Sequence, residues 1–361
     1  MKAVAVFPDE REVKVIERRE PDIRAQDQAK LRMLEVGVCG TDRELCAFVF
    51  GTPPPGFDHF ILGHESLAEI VEVGREVRGF AAGDLVVAGV RLPCADEECG
   101  ACRSGHQDFC STGNHREHGI KDLDGFMTEF VVEDHRNLFS IPKELRNVAV
   151  LLEPLSIAEK ALKEAERIET RLPWRRTARR ALVLGAGPVG LLGAMKLVES
   201  GFETFVYSQE PEPNPGAAIV AAIGATYLST QSASVERMRE RVGHIDLVYE
   251  ALGAAQIAFY VLPLMAANGT YVFTGVPRDE QLLPFETRRV IANLVLTNQA
   301  IVGSVNAGRQ AFLDGIDDLV TFQRRWPVAL NSLITARYRL EEFRVPLLRA
   351  NGIKNVIQVA C

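Results

Sequence analysis

The sequence predicts an α/β protein in two parts, a largely β first half and then a doubly wound parallel sheet. Three observations carry that expectation. Short apolar runs broken by Gly, Pro and Asp fill the first 140 residues, the pattern of strands and turns. From Arg180 onward, apolar runs of strand length alternate with helical stretches, which implies parallel strands with helices on both faces. Gly185, Gly187 and Gly190 stand where the first of those strands passes into a helix.

Along the chain, Lys2–Val6, Leu31–Val38, Leu67–Val73 and Leu85–Ala88 read as strands, and Thr52-Pro53-Pro54-Pro55-Gly56 as a rigid loop. Val148–Ile168 reads as a helix with Pro154 near its start. Ala181–Leu184, Phe205–Ser208, Ala225–Leu228, Leu247–Tyr249 and Thr270–Thr274 read as strands of the parallel sheet, with a helix over Leu191–Glu199. Ala300–Val305 is strand-like and suits either an edge or the interior. Leu340–Phe343 opens a helix, and Lys354–Val359 reads as a terminal strand.

Composition narrows the function classes. At roughly 150 residues per domain, 361 residues suggest two domains. With 47% hydrophobic and 25% charged residues, the chain is not disordered, collagenous or of low complexity. Its net charge of -7 argues against nucleic-acid binding. The basic cluster Arg175, Arg176, Arg179 and Arg180 reads as a solvated linker before the second domain. No stretch approaches the ~18 apolar residues that span a bilayer. Met1-Lys2-Ala3-Val4 runs straight into a strand without the apolar core of a signal peptide, so a cytoplasmic protein is expected.

The three glycines have distinct physical tasks. Gly185 allows the tight turn, Gly187 lets backbone approach a pyrophosphate, and Gly190 lets the helix pack close to the strand. Pro188 and Val189 open that helix, whose first N–H groups face the phosphates. The next strand ends at Ser208-Gln209-Glu210, where an acid would hold a ribose 2′-hydroxyl. No Lys or Arg occurs between Lys196 and Arg237, so NAD is expected over NADP, although Glu210 also reads as a solvated loop charge.

Four of the seven cysteines, Cys94, Cys99, Cys102 and Cys110, crowd into one lobe. In a reducing compartment that crowding favours a closed tetrahedral zinc site over disulfides. Asp96 stands at the more regular spacing and competes with Cys94 for the fourth position. A second, dispersed set comprises Cys39, His64, Glu65 and Glu153, the donor mixture of a catalytic zinc with an open position. Spacing alone leaves that set open, since His64 also suits a hydrogen-bonded turn and Cys39 a small buried hydrophobe.

Gly37-x-Cys39-Gly40-Thr41-Asp42, Gly63-His64-Glu65, the cysteine lobe and Gly185–Gly190 occur in the order seen in zinc-dependent medium-chain dehydrogenases, which the whole chain resembles. Leu152-Glu153-Pro154-Leu155-Ser156, Gly125–Glu129 and Val302–Ala307 resemble the glucose 1-dehydrogenase branch. The resemblance implies a GroES-like, partly open β-barrel catalytic domain (1–177 and 305–361) and a Rossmann domain (178–304), with the active cleft between them. It implies a catalytic zinc on Cys39 and His64, with Glu65 and Glu153 as direct or water-mediated ligands, and a structural zinc in the cysteine lobe. That catalytic zinc would make the C1 hydroxyl of an aldose more acidic. Thr41 would relay the proton, C1 would give its hydride to NAD or NADP, and a lactone would leave. Glu117 and Glu153 match positions that bind sugar hydroxyls, and Asn306 one near the nicotinamide. Thr274, Gly275 and Ser304 match further cofactor positions.

The chain also departs from the family. The spacing from Cys94 to Cys99 is wider than usual, and Ile157 stands where some relatives carry a sugar-binding aspartate. The alternatives are therefore a dehydrogenase for another polyol, modified sugar or secondary alcohol, or a nucleotide sensor without turnover. Relatives are dimers or tetramers, so a homodimer or homotetramer is expected.

Overall fold

In the computed structural model, which describes residues 1–360 except 175, 233, 278–285, 350 and 351, the strand Gln28–Val38 is the spine of the first half. Ala29, Leu31 and Met33 alternate toward the interior, and the buried run 34–38 follows. Glu65–Val73 pairs antiparallel along one side of this spine and Lys354–Gln358 along the other. Leu85–Ala88 and Leu138–Ser140 extend the sheet one way, Ile334–Arg339 the other, and Phe130–Asp134 pairs with the start of the spine. Among the described residues the outermost strands do not pair with each other, so this seven-stranded sheet stays open along that seam.

A smaller sheet of Glu12–Glu17, Lys2–Phe7 and Phe60–Ile61 is joined through an antiparallel bridge between Ala3 and Thr128. Val4, Leu31, Met33, Phe60, Ile61, Phe126 and Met127 all belong to the enclosed core. Each large side chain buried there contributes about 1.5–3 kcal/mol relative to leaving it in water.

The parallel sheet has six strands. In chain order they are Arg180–Leu184, Glu203–Ser208, Thr226–Ser229, Ile245–Glu250, Met265–Phe273 and Ala300–Gly303. In space the order is third, second, first, fourth, fifth, sixth, so the chain reverses direction beside the first strand. Ala300–Gly303 is an edge strand. Three arginines of the basic cluster have structural partners rather than a purely solvated face. Arg176 pairs with Asp246, Arg179 stacks on Phe202, and Arg180 pairs with Glu203. Arg175 lies outside the described residues.

The chain divides into two compact units: Met1–Glu153 with Asn306–Gln323 and Ile334–Cys361, and Pro154–Val305 with Arg324–Leu333. This places most of the helix Leu152–Glu169 with the parallel sheet, whereas the sequence boundary falls after 177. The contacts of that helix explain the grouping: Lys160 Nζ donates to Val305 O at 2.9 Å, and Glu159 pairs with Lys196. Among the described residues, no helix is long and apolar enough to cross a membrane.

Candidate functional site

Three neighbouring strands bring distant residues together. The spine ends at Val38 and delivers Cys39, which caps the helix Gly40–Cys46. Gly37 pairs opposite Glu65, so Glu65 and the preceding His64 lie beside Cys39. A Cβ on Gly37 would sit 2.1 Å from Glu65 Oε2, so only glycine leaves room for that carboxylate. Ligand atoms of Cys39, His64 and Glu65 lie within 4.8 Å of one another, with both His64 and Glu65 buried. Thr41 follows at the start of the helix, half-buried.

The electrostatics of this cluster are strongly coupled. His64 Nδ1 and Asp42 Oδ1 stand 3.3 Å apart as a buried charge pair, a contact that falls short of a well-formed hydrogen bond. Burial pulls the imidazole pKa down, but Asp42 and Cys39 outweigh it and hold the pKa well above its ordinary value. Asp42 is itself fixed by accepting from Cys39 N at 2.8 Å. Glu153 is buried, and its carboxylate is not among the clustered ligand atoms. It is close enough to feel them: burial pushes its pKa up to about 7, opposed by His64 and assisted by Glu65.

Lys354 was not visible to sequence reasoning. Its fully buried ammonium donates to both oxygens of Glu65 at 2.6 Å and to Val38 O at 3.1 Å. Burial opposes its charge, yet Glu65 and Cys39 keep its pKa above the usual lysine value. A lysine opening an apolar terminal strand carries no local signal. Its role comes from pairing that strand beside Gly37.

A second polar group joins Glu117 and Asn306. Asn306 Nδ2 and Arg91 Nε both donate to Glu117 Oε1 at 2.9 Å. Asn306 holds a left-handed backbone, φ 56°, with its Oδ1 accepting from Ala307 N. Arg91 was also missed, because nothing in its local sequence sets it apart.

The four lobe thiols converge as well, their sulfurs within 4.8 Å of one another. Cys99 and Cys110 stand 3.9 Å apart as free thiols. Asp96 instead shapes the loop, its Oδ1 accepting from Glu98 N and its carbonyl from Cys99 N. Backbone donors at Cys102 and Ser111 bring the Cys99 pKa down to about 5, whereas burial pushes Cys102 up to about 12. Among the described residues these two groups are the sets of three or more His, Cys, Asp or Glu able to share an ion.

The expected cofactor residues other than Asn306 fall at or just beyond the C-terminal ends of parallel strands. Gly187 caps the helix Pro188–Glu199, with Pro188 and Val189 in its first turn. A Cβ on Gly190 would lie 2.1 Å from Gly185 O, the close helix–strand approach that the fingerprint requires. Ser208 ends the second strand, and Gln209 and Glu210 are exposed beyond it. The Glu210 carbonyl is held by Tyr227 at 2.8 Å. Thr274 and Gly275 follow the fifth strand, and Ser304 follows the sixth, its N–H donating to Phe273 O.

Comparison with known proteins agrees with this layout. The family described as "Alcohol dehydrogenase GroES-like domain" matches residues 25–143, and "Glucose dehydrogenase C-terminus" matches residues 146–359. Glucose 1-dehydrogenase of Methanocella arvoryzae is 41% identical over 345 residues, 95% of each chain. That of Metallosphaera sedula is 38% identical, over 95% of this chain and 93% of its own. Among solved structures, Haloferax mediterranei glucose dehydrogenase in complex with NADP, Zn and gluconolactone superposes with a TM-score of 0.90. It is 32% identical and covered in full, as is this chain. Galactitol-1-phosphate dehydrogenase of Escherichia coli, 21% identical with a TM-score of 0.80, shares the fold.

Proposed function

Since the chain belongs to the glucose 1-dehydrogenase branch of the zinc-dependent medium-chain dehydrogenases, we propose that it oxidises an aldose at C1 to the lactone with NAD or NADP. The carrying observation is the convergence of a thiol with an adjacent imidazole and carboxylate from two separate stretches of sequence. A thiol, an imidazole and a carboxylate with ligand atoms within 4.8 Å of one another fit a zinc ion, whose usual ligands are those three groups. Cys39, His64 and Glu65 would hold it, with Glu153 beside them. The lobe thiols Cys94, Cys99, Cys102 and Cys110 would hold a second, structural zinc.

When bound, the catalytic zinc supplies Lewis acidity that makes an alcohol easier to deprotonate. The chain's own residues do the rest. Lys354 neutralises and orients Glu65, so that the cluster carries less negative charge. Glu117, steadied by Arg91 and Asn306, accepts hydrogen bonds from sugar hydroxyls, and Glu153 serves another part of the sugar. Thr41 relays the hydroxyl proton outward as C1 gives up its hydride. The glycine turn Gly185–Gly190 takes the pyrophosphate, and Glu210 favours the unphosphorylated ribose of NAD.

A cytoplasmic location is part of this proposal, since clustered thiols of this kind stay reduced there. The edge strand Ala300–Gly303, with Ile301 exposed, supports a dimer built by continuing the parallel sheet. Steady-state kinetics over aldoses, sugar acids and polyols with both cofactors tests the reading. Highest kcat/KM on an aldose with NAD supports it. Preference for a polyol or another secondary alcohol moves the substrate class, and strong NADP preference overturns the role given to Glu210.

A further inference from the structure

The parallel sheet is built from two similar halves, strands one to three and strands four to six, and a dinucleotide spans two such halves. The first half opens on the glycine turn at Gly185, which suits the pyrophosphate, and its second strand leads to Glu210 on the adenosine side. The nicotinamide side then falls to the ends of the fourth and fifth strands. A buried carboxylate stands there that no step above uses.

Glu250 ends the fourth strand and is 1% exposed. Its Oε1 accepts from Leu252 N at 2.8 Å and Gly253 N at 2.6 Å, and its Oε2 accepts from Gly275 N at 3.0 Å. Its carbonyl accepts from Thr274 N at 3.0 Å and Thr274 Oγ1 at 2.6 Å. One residue therefore ties the exits of both strands together. The fit is close: Gly253 has φ +70°, and a Cβ on Gly275 would meet Gly253 N at 2.2 Å. The same knot reaches the fingerprint, because a Cβ on Gly185 would meet Ala251 O at 3.2 Å, while Ala251 N donates to Leu184 O. A carboxylate held by backbone amides in this way sets loop geometry, since each amide needs its acceptor once buried.

We infer that Glu250 is a positioning residue for the nicotinamide half of the cofactor, its carboxylate fixing the Leu252–Gly253 and Thr274–Gly275 backbone on which that half rests. The inference depends on the dinucleotide reading above. Glu250→Gln keeps the shape but turns an NH2 group toward one of the three amides, donor against donor.

The test is the dissociation constant of NADH, read by fluorescence, beside that of ADP-ribose, which lacks the nicotinamide, for wild type and Glu250→Gln. The expected result is NADH weakened by roughly ten-fold with ADP-ribose unchanged. NADH unchanged, or both ligands weakened alike, overturns it. Should that variant fail to fold, Glu250→Asp, which keeps the charge but draws the carboxylate back from the three amides by one methylene, carries the same comparison with the same outcomes. A wild-type protein that binds neither NADH nor NADPH refutes the dinucleotide reading instead, a result distinct from either outcome for Glu250.

Discussion

The cysteine lobe and the Cys39–His64–Glu65 cluster gather donor atoms to the same tightness, yet they are assembled in opposite ways. The lobe draws four like ligands from one stretch, residues 94–110, held by a short helix, turns and an aspartate-shaped loop. The dispersed cluster draws three unlike ligands from paired strands, and its geometry depends on the register of the barrel sheet. Four thiolates can close around an ion, whereas a mixed trio leaves a coordination position open for chemistry. Local assembly suits a clip for a loop, and assembly on the rigid sheet suits a site that must hold its geometry through a reaction.

If that contrast holds, substitutions in the two groups separate activity from stability. The largest effect is expected for Cys39→Ala or His64→Ala. Losing Lewis-acid stabilisation worth several kcal/mol lowers kcat by about a thousand-fold or more. Circular dichroism and melting temperature should stay near wild type, and turnover within ten-fold of wild type would break the contrast. Lys354→Met comes next. It leaves Glu65 buried without its counter-charge, and breaking such a pair destabilises by about 3–5 kcal/mol. Urea unfolding measures that loss, and a variant within about 1 kcal/mol of wild type would show that Lys354 does not support the cluster.

Cys99→Ser in the lobe should act in the reverse sense to Cys39→Ala. Its melting temperature falls and one zinc is lost, while the folded fraction keeps kcat within about three-fold, as for a metal that holds structure rather than reacting. Glu117 sharpens the comparison on the substrate side. Asn306→Ala removes one hydrogen bond to that carboxylate, worth about 1.5–3 kcal/mol for a charged acceptor, and sugar KM should rise by about ten-fold or more. An unchanged KM would detach Glu117 from the sugar. The smallest effect is expected for Asp96→Ala, at or below about 0.5 kcal/mol with full zinc content, because Asp96 caps a loop and is not among the clustered donors.

Legibility in the sequence followed the same divide. The lobe could be read as a cluster from spacing, and only the choice between Cys94 and Asp96 needed coordinates. The alternation after Arg180 and the three glycines placed the parallel sheet and its turn, since both are local patterns. The dispersed trio was ambiguous from spacing, because sequence distance carries no information about strand pairing, and resemblance to a family supplied the link. Lys354, Arg91 and Glu250 were not found at all. Each is a charged residue buried by tertiary pairing, and a single charge in an apolar run looks the same locally whether it faces solvent or a partner. Gly37 showed the reverse: its place beside Cys39 was noted as a motif, but its reason, space for the Glu65 carboxylate, emerged only from the register.

Zinc content measured by mass spectrometry together with kcat, on wild type, Cys39→Ala and Cys99→Ser, tests the division most directly. Two zinc ions per wild-type chain and one in each variant, with turnover lost only in Cys39→Ala, is the predicted result. A Cys39→Ala protein that keeps both ions, or keeps its turnover, would contradict it.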